Sequence, residues 1–347
     1  MHGNKPPRLT VIIPAYNAEA YIERSVRSVL DQSFSELRLI VVDDGSGDRT
    51  GDILAALSAE DPRLTLLDAE NRGPAMARNL ALELLEPETE YVMFMDADDQ
   101  LLPDAVEYAI NGAGGAAMVV FGYSIVGVDG TETEYFEPEQ HLDRRSLGGA
   151  LAGLYKANLL NQVWGKLFSA ALIRDNALRF PDYRWGEDRL FIYDCLERAE
   201  AVAVLPQCKY HYFMHPGESL INKYYDRKLP VCLEADARMQ QLCRRFGAGD
   251  QADFRYMFAK SVFSCITMLF SGSCPLNGRE KRRYIRETVN DPQVRQRCRR
   301  TFGGFAVNFL CAVVQSRSVG LNMAVFSLVA MTGRLDPRLF IKLKHRK

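Results

Sequence analysis

Tyr91-Val-Met-Phe-Met-Asp-Ala-Asp-Asp-Gln100 decides how this chain is read. Its apolar first half breaks without a spacer into Asp96, Asp98 and Asp99. The apolar half reads as a buried strand, and the carboxyl end of such a strand is where open α/β sheets bind ligands. Three carboxylates there need a counter-charge, because an unpaired buried charge is costly. Mg²⁺ or Mn²⁺ would serve, since both take hard oxygen ligands and are commonly shared with substrate phosphates. The plainer alternative is an acidic turn capping the helix that starts near Pro103, since Asp is a favoured cap.

Working back towards the N-terminus, Leu9-Thr-Val-Ile-Ile-Pro14 is a β-branched run ending at proline, and Tyr16-Asn17 follows. Asn17 is placed as the N-cap of a helix that runs to about Leu30 with Ile22, Val26, Val29 and Leu30 on one face. Leu37 to Val42 is a second strand, stopped by Asp43-Asp44-Gly45-Ser46. Asp48 to Leu57 reads as a helix, Leu64 to Leu67 as a short strand, and Asn71-Arg72-Gly73-Pro74 as the opening of a helix through Leu85. Strands alternating with helices of this length predict βαβ units and a mostly parallel sheet, with Pro14 to Asn17, Asp43 to Ser46, Asn71 to Gly73 and Asp96 to Asp99 at one edge. A nucleotide is cradled at such an edge. A dinucleotide-binding dehydrogenase would need Gly-x-Gly-x-x-Gly after the first strand, where this chain has Pro-Ala-Tyr-Asn, and no P-loop is present.

The 347 residues allow one large domain or two. A formal net charge of −1 does not imply nucleic acid as a partner of the whole chain. Eight scattered cysteines without a Cys-x-x-Cys pair read as reduced thiols, not as a disulfide framework or a zinc site. Met1 to Leu9 lacks the apolar core of a signal peptide, and the longest near-apolar run, Gly112 to Val128, contains five glycines. The expectation is a protein made and kept in the cytosol.

Val11-Ile-Ile-Pro-Ala-Tyr-Asn17, Val41-Val-Asp-Asp-Gly-Ser46, Asn71-Arg-Gly with Ala77-Arg-Asn79, and Phe94-Met-Asp-Ala-Asp98 together resemble, in order and spacing, the nucleotide-binding half of family-2 glycosyltransferases of the GT-A fold. Trp164-Gly-Lys-Leu167 and Gly186-Glu-Asp-Arg-Leu-Phe191 extend the resemblance to about Ile221. It implies a GT-A-like catalytic domain over residues 1–220 and a helical region over 221–347. It implies inverting transfer of a sugar from a nucleotide-sugar, with uracil the expected base, to a hydroxyl of a glycan or lipid-linked acceptor in cell-surface polysaccharide synthesis.

The roles carried over are these. Asp43 and Asp44 meet the base or ribose, with Asp44 preferred for contact; Tyr16 lies over the base; Pro14, Asn17 and Asn71 line the nucleotide; Arg78 faces the diphosphate or the acidic loop. Asp98 is the metal ligand, with Asp96 holding ribose or metal-bound water. Asp188 is the general base that takes the acceptor proton, Glu187 supports it or contacts the acceptor, and Trp164 forms an apolar wall for a sugar ring. Each residue also has a structural reading: a turn cap for the Asp pairs, core packing for Tyr16 and Trp164, a helix N-terminus for Glu187 and Asp188. Tyr210-His-Tyr-Phe-Met-His215 departs from the family, which commonly has Arg where Phe213 stands. Either His211 or His215 could take its place, with His215 preferred as a further metal ligand.

Beyond Ile221 the chain reads as helices with a basic stretch from Arg279 to Arg300 and a tail, Arg338 to Lys347, alternating apolar and basic residues. Two alternatives stay open there: peripheral contact with an anionic membrane on the inner face of the plasma membrane, or a helical appendage packed on the catalytic domain or a second subunit. Two other functions compete with sugar transfer. A sugar nucleotidyltransferase would want a Gly-rich basic triphosphate loop near the first strand, and a non-catalytic glycan-binding subunit would keep the fold without turnover.

Overall fold

The computed structural model describes residues 7–215, 224–249, 252–299 and 304–335. The decisive stretch is strand β4, Tyr91–Phe94. It lies beside β1, Leu9–Ala15, whose seven residues are all buried. Outward from β1 come β2, Leu37–Asp43, and β3, Leu64–Asp68, all parallel to it. Helices α1 (Ile22–Leu30), α2 (Thr50–Glu60) and α3 (Pro74–Leu82) make the connections. The expected βαβ half is present, and its strand ends gather the expected loops at one edge.

The other flank is less regular. β5 is Gln100–Leu101, α4 Ala105–Asn111 and β6 Met118–Val126. β7 (Glu132–Tyr135), β8 (Gln140–Asp143), α5 (Leu147–Lys156), β9 (Lys166–Ser169), α6 (Ala170–Asp175), α7 (Glu187–Arg198) and β10 (Ala201–Phe213) follow. The sheet order is β3-β2-β1-β4-β9-β6-β10-β5, with β7 on β6 and β8 on β10. β9 therefore arrives late in sequence and inserts antiparallel between β4 and β6. The strand expected over Ala201 to Leu205 continues through Phe213, with register shifts around Cys208.

One sequence expectation is corrected locally. Asn17 does not cap α1, which starts at Ile22 after Tyr21. Instead Asn17 sits at φ 48°, its N–H donates to Ser46 Oγ and its Oδ1 accepts from Gly47 N–H, so it ties the first loop to the second. Asn tolerates that left-handed backbone better than most residues do. Gly45 needs it too: at φ +76° a Cβ would stand 3.2 Å from the Asn71 backbone nitrogen.

The chain divides into two compact units, one of Met1–Pro216 with Leu242–Ala248 and one of Gly217–Gln241 with Gly249–Lys347. The second is helical: α8 (Lys228–Phe246, its end in the first unit), α9 (Ala252–Thr267), α10 (Gly278–Asn290), α11 (Pro292–Arg297), α12 (Phe305–Gln315) and α13 (Val319–Leu335). Its core packs Phe258, Val262, Ile266, Leu269, Ile285, Val289, Val294 and Phe326. A buried Asp236–Arg297 ion pair at 2.9 Å braces α8 against α11. The boundary expected at residue 220 and the basic tail Arg338 to Lys347 lie outside the described residues. No helix among the described residues is long and apolar enough to cross a membrane.

Candidate active site

The acidic loop is held mainly by α1. Ser25 is buried, and its hydroxyl lies 2.8 Å from the Ala97 carbonyl and 2.7 Å from that of Asp99. One helical turn earlier, Tyr21 stacks on His215 with ring centroids 4.0 Å apart. Arg24 donates to the Asp98 carbonyl and lies 3.8 Å over the Phe213 ring. From the opposite side Tyr210 donates its O–H to Asp99 Oδ2 at 2.6 Å and accepts from Asp96 N–H, while Phe213 N–H donates to Asp99 Oδ1. Asp99 is fully buried, and burial followed by the charges of Asp98 and Asp96 pushes its pKa well up. It is the fastener between this loop and β10, a role that its place beside Asp98 in sequence conceals.

Arg78, on α3, joins the distant parts of the site. Its side chain is only 3% exposed. One terminal nitrogen donates to Asp96 at 2.8 Å; the other donates to Asp188 at 2.8 Å and Glu187 at 3.3 Å. The carboxylates expected at the strand end and at the start of α7 are thus separated by one guanidinium. Burial alone would pull the Arg78 pKa down, but the charges of Asp188, Asp96 and Glu187 outweigh it and raise it. Asp96 is pushed up to about 6, burial and the charges of Asp188 and Asp98 prevailing over Arg78. Glu187 is pushed up to about 7, first by burial and then by Asp188.

Asp188 accepts from Arg78 on Oδ1 and from Val163 N–H on Oδ2 at 3.2 Å. A carboxylate has about four acceptor positions, so reactive lone pairs remain. Gly186 enters α7 at φ 81°, which favours glycine there. The loop carrying Val163 is fixed by Lys166, whose buried ammonium donates to the carbonyls of Gln162 at 2.6 Å and Trp164 at 3.1 Å. Burial pulls Lys166 down to about 7 despite the charge of Asp188. Sequence reasoning gave no role to Lys166 or Tyr210, although both stand in motifs it singled out, nor to Val163 or Ser25; a lysine at the head of an apolar strand was the signal that pointed to Lys166. Asn79, next to Arg78, was also given no role: its amide exchanges two hydrogen bonds with the Phe180 backbone and pins α3 to the segment leading into α7.

Other expected residues fall as follows. Asp44 is buried and accepts from Arg72 N–H at 2.9 Å and Gly73 N–H at 2.7 Å, one on each oxygen. It braces the 71–73 turn, while Asp43 accepts from Ser46 N–H on Oδ1. Tyr16 is exposed and Pro14 buried within β1, while the side chain of Asn71 is exposed. Trp164 is a correction. It is 6% exposed and stacks on Tyr210 at 4.6 Å and Tyr212 at 5.6 Å, so its ring packs the core of this flank and offers no open wall for a sugar. His211 points to Glu132, 3.8 Å away, and not to the acidic loop.

His215 does face that loop. Its Nε2 lies 3.4 Å from Asp98 Oδ2, yet it is buried and makes no hydrogen bond. An orphaned imidazole nitrogen opposite a carboxylate suits a divalent ion, so this pair fits the metal that the sequence implies. The pair is not a closed cage: among the described residues no three His, Cys, Asp or Glu side chains are grouped to hold a metal.

Residues 10–179 match the sequence profile described as Glycosyl transferase family 2. An uncharacterized glycosyltransferase of Haemophilus influenzae is 31% identical over 199 residues, 56% of this chain and 74% of that protein. The succinoglycan biosynthesis protein ExoO of Rhizobium meliloti is 30% identical over 224 residues, 62% of this chain and 63% of that one. This chain thus spans less than two thirds of some of its curated relatives. Among solved structures, Staphylococcus aureus TarS residues 1–349, in complex with UDP-GlcNAc, superposes with a TM-score of 0.63 at 20% identity, covering 94% of this chain and 92% of that one. That likeness shows the GT-A-like fold.

Proposed function

The chain belongs to family 2 of the glycosyltransferases, and from that premise we propose that it moves a sugar, with inversion, from a nucleoside-diphosphate sugar to a hydroxyl of a glycan or lipid-linked acceptor. The observation that carries this reading is the Arg78 bridge, which keeps Asp188 within one guanidinium of the strand-end acid Asp96. One donor can span such a site, its diphosphate at the loop and its anomeric carbon towards Asp188. Asp188 takes the proton of the acceptor hydroxyl as that oxygen bonds to the anomeric carbon and the bond to the diphosphate oxygen breaks. Glu187, titrating near neutrality, holds a sugar or acceptor hydroxyl as donor or acceptor. Asp98 and His215, with Asp96 beside them, would hold Mn²⁺ or Mg²⁺; the imidazole favours Mn²⁺. A bound ion supplies Lewis-acid neutralisation of the leaving diphosphate.

The donor base is uracil by the family resemblance and by the UDP-GlcNAc bound to TarS. Asp43, Tyr16 and Asn71 contact base and ribose, while Asp44, Asn17 and Pro14 shape the loops around them. Catalysis belongs to residues 1–220, and residues 221–347 serve acceptor, oligomer or membrane contacts. The name of the succinoglycan relative supports a polysaccharide as product, and the reading has it made in the cytoplasm for the cell surface. A panel of nucleotide sugars assayed for hydrolysis and transfer tests the whole. One donor is turned over, and Asp188→Asn slows it by about 10²–10⁴ while nucleoside-diphosphate binding persists. Unchanged turnover in Asp188→Asn removes the base; no binding of any nucleotide with Mn²⁺ removes the proposal.

A further inference from the structure

Charge is segregated along this chain far more than its net value shows. Residues 278–347 hold 16 Lys and Arg against 4 Asp and Glu, whereas residues 1–277 hold 27 against 40. The basic segment also carries apolar side chains that remain in water. Phe305 and Phe309 on α12, and Leu321, Leu328 and Met331 on α13, are each between 44% and 89% exposed. Their spacings of four, seven and three put them on one stripe of each helix. The opposite sides of the same helices bury Cys311 and Val314, and Asn322 and Phe326, so each helix has one packed side and one in water. α12 and α13 pack together, and α10, which packs on α13, exposes Arg279, Arg282, Arg283 and Arg286. From residue 304 to residue 335 there is no acidic residue.

We propose that the α12–α13 stripe is a docking face for an anionic lipid bilayer, its apolar residues seated at the headgroup boundary and the surrounding Arg and Lys held by acidic lipids. Charge complementarity selects this occupant: exposed apolar side chains set among cations suit an anionic interface, whereas nucleic acid has no use for the apolar stripe. α10 adds Arg279, Lys281, Arg282, Arg283 and Arg286 against Glu280 and Glu287, a net positive charge that opposes a second copy of the same face. Five large side chains are enough for reversible attachment and too few for insertion, in keeping with the described helices, none of which is long and apolar enough to cross a membrane. The face acts independently of the proposed reaction.

Flotation of the full chain with phosphatidylcholine vesicles, with and without phosphatidylglycerol, tests it. The protein floats with the anionic vesicles alone, and added salt weakens the binding. Phe305→Ser with Phe309→Ser lowers the partition coefficient at least about tenfold. Arg279, Arg282, Arg283 and Arg286 changed together to Gln lower it on anionic vesicles. Nucleoside-diphosphate binding and thermal midpoint stay at wild-type values in both variants, which separates loss of docking from loss of fold or of the proposed reaction. Absence of flotation on anionic vesicles at low salt overturns the proposal, and so does flotation that ignores the two Phe changes. A dimer in light scattering that those changes convert to monomer assigns the face to a second copy and overturns it as well.

Discussion

Replacing Arg78 by Met keeps much of the side chain's volume and removes the charge shared by three carboxylates. In the native protein that guanidinium is 3% exposed and makes contacts of 2.8, 2.8 and 3.3 Å. Without it Glu187 and Asp188 face each other and Asp96 in a mostly dry site, and breaking a buried charge cluster by removing one partner costs about 3–5 kcal/mol. In a unit of this size each kcal/mol lowers the melting temperature by about 2–4 °C, so the expected drop is about 6–20 °C near pH 8. The pH dependence follows from the acids. Asp96 at about 6 and Glu187 at about 7 hold protons that the unfolded chain has already released, so these groups reduce stability as pH rises through those values. Loss of Arg78 raises both further, and the deficit against wild type therefore widens between pH 5.5 and pH 8. Thermal unfolding of both proteins across that range measures it. A variant that melts with the wild type, or a deficit that stays constant with pH, would refute the bridge as an electrostatic keystone of the site.

Two other substitutions probe the loop itself. His215→Ala should weaken Mn²⁺ binding, measured by titration calorimetry in the presence of UDP, by at least about tenfold, the scale on which even partners that support a ligand act; equal affinity would remove His215 from the metal site. Tyr210→Phe deletes the O–H that reaches buried Asp99 and should cost about 1–3 kcal/mol in urea unfolding, with an unchanged midpoint as the contrary result.

How far sequence reached depended on whether a signal was local. Strands β1, β2 and β4 were legible because each is a short apolar run stopped by a polar turn, and the order of the turns gave one edge of the sheet. β7, Glu-Thr-Glu-Tyr, and β5, two residues long, carry no such signal; they are strands because neighbours offer them partners. The same division holds in the site. Asp96 and Asp98 stood out as carboxylates at a strand end, and Arg78, Glu187 and Asp188 through the family resemblance, but which acid Arg78 would meet depended on how α7 packs. Asp43 and Asp44 are adjacent and alike in sequence, and only the 71–73 turn decides which one becomes a brace. Trp164 was misjudged because an aromatic near polar motifs looks the same whether its faces are covered or open.

The late arrival of β9 and α7 has a consequence for the order in which a ribosome delivers the parts. Arg78 and Asp96 emerge early, while Glu187 and Asp188 follow about ninety residues later. Until then the guanidinium lacks two of its three counter-ions and is better left hydrated than sealed in. The nucleotide-side strands can therefore pair during synthesis, but their carboxyl ends close only when the segment bearing the base docks. Binding pocket and proton acceptor mature in a single event, and an interrupted chain is left with neither finished.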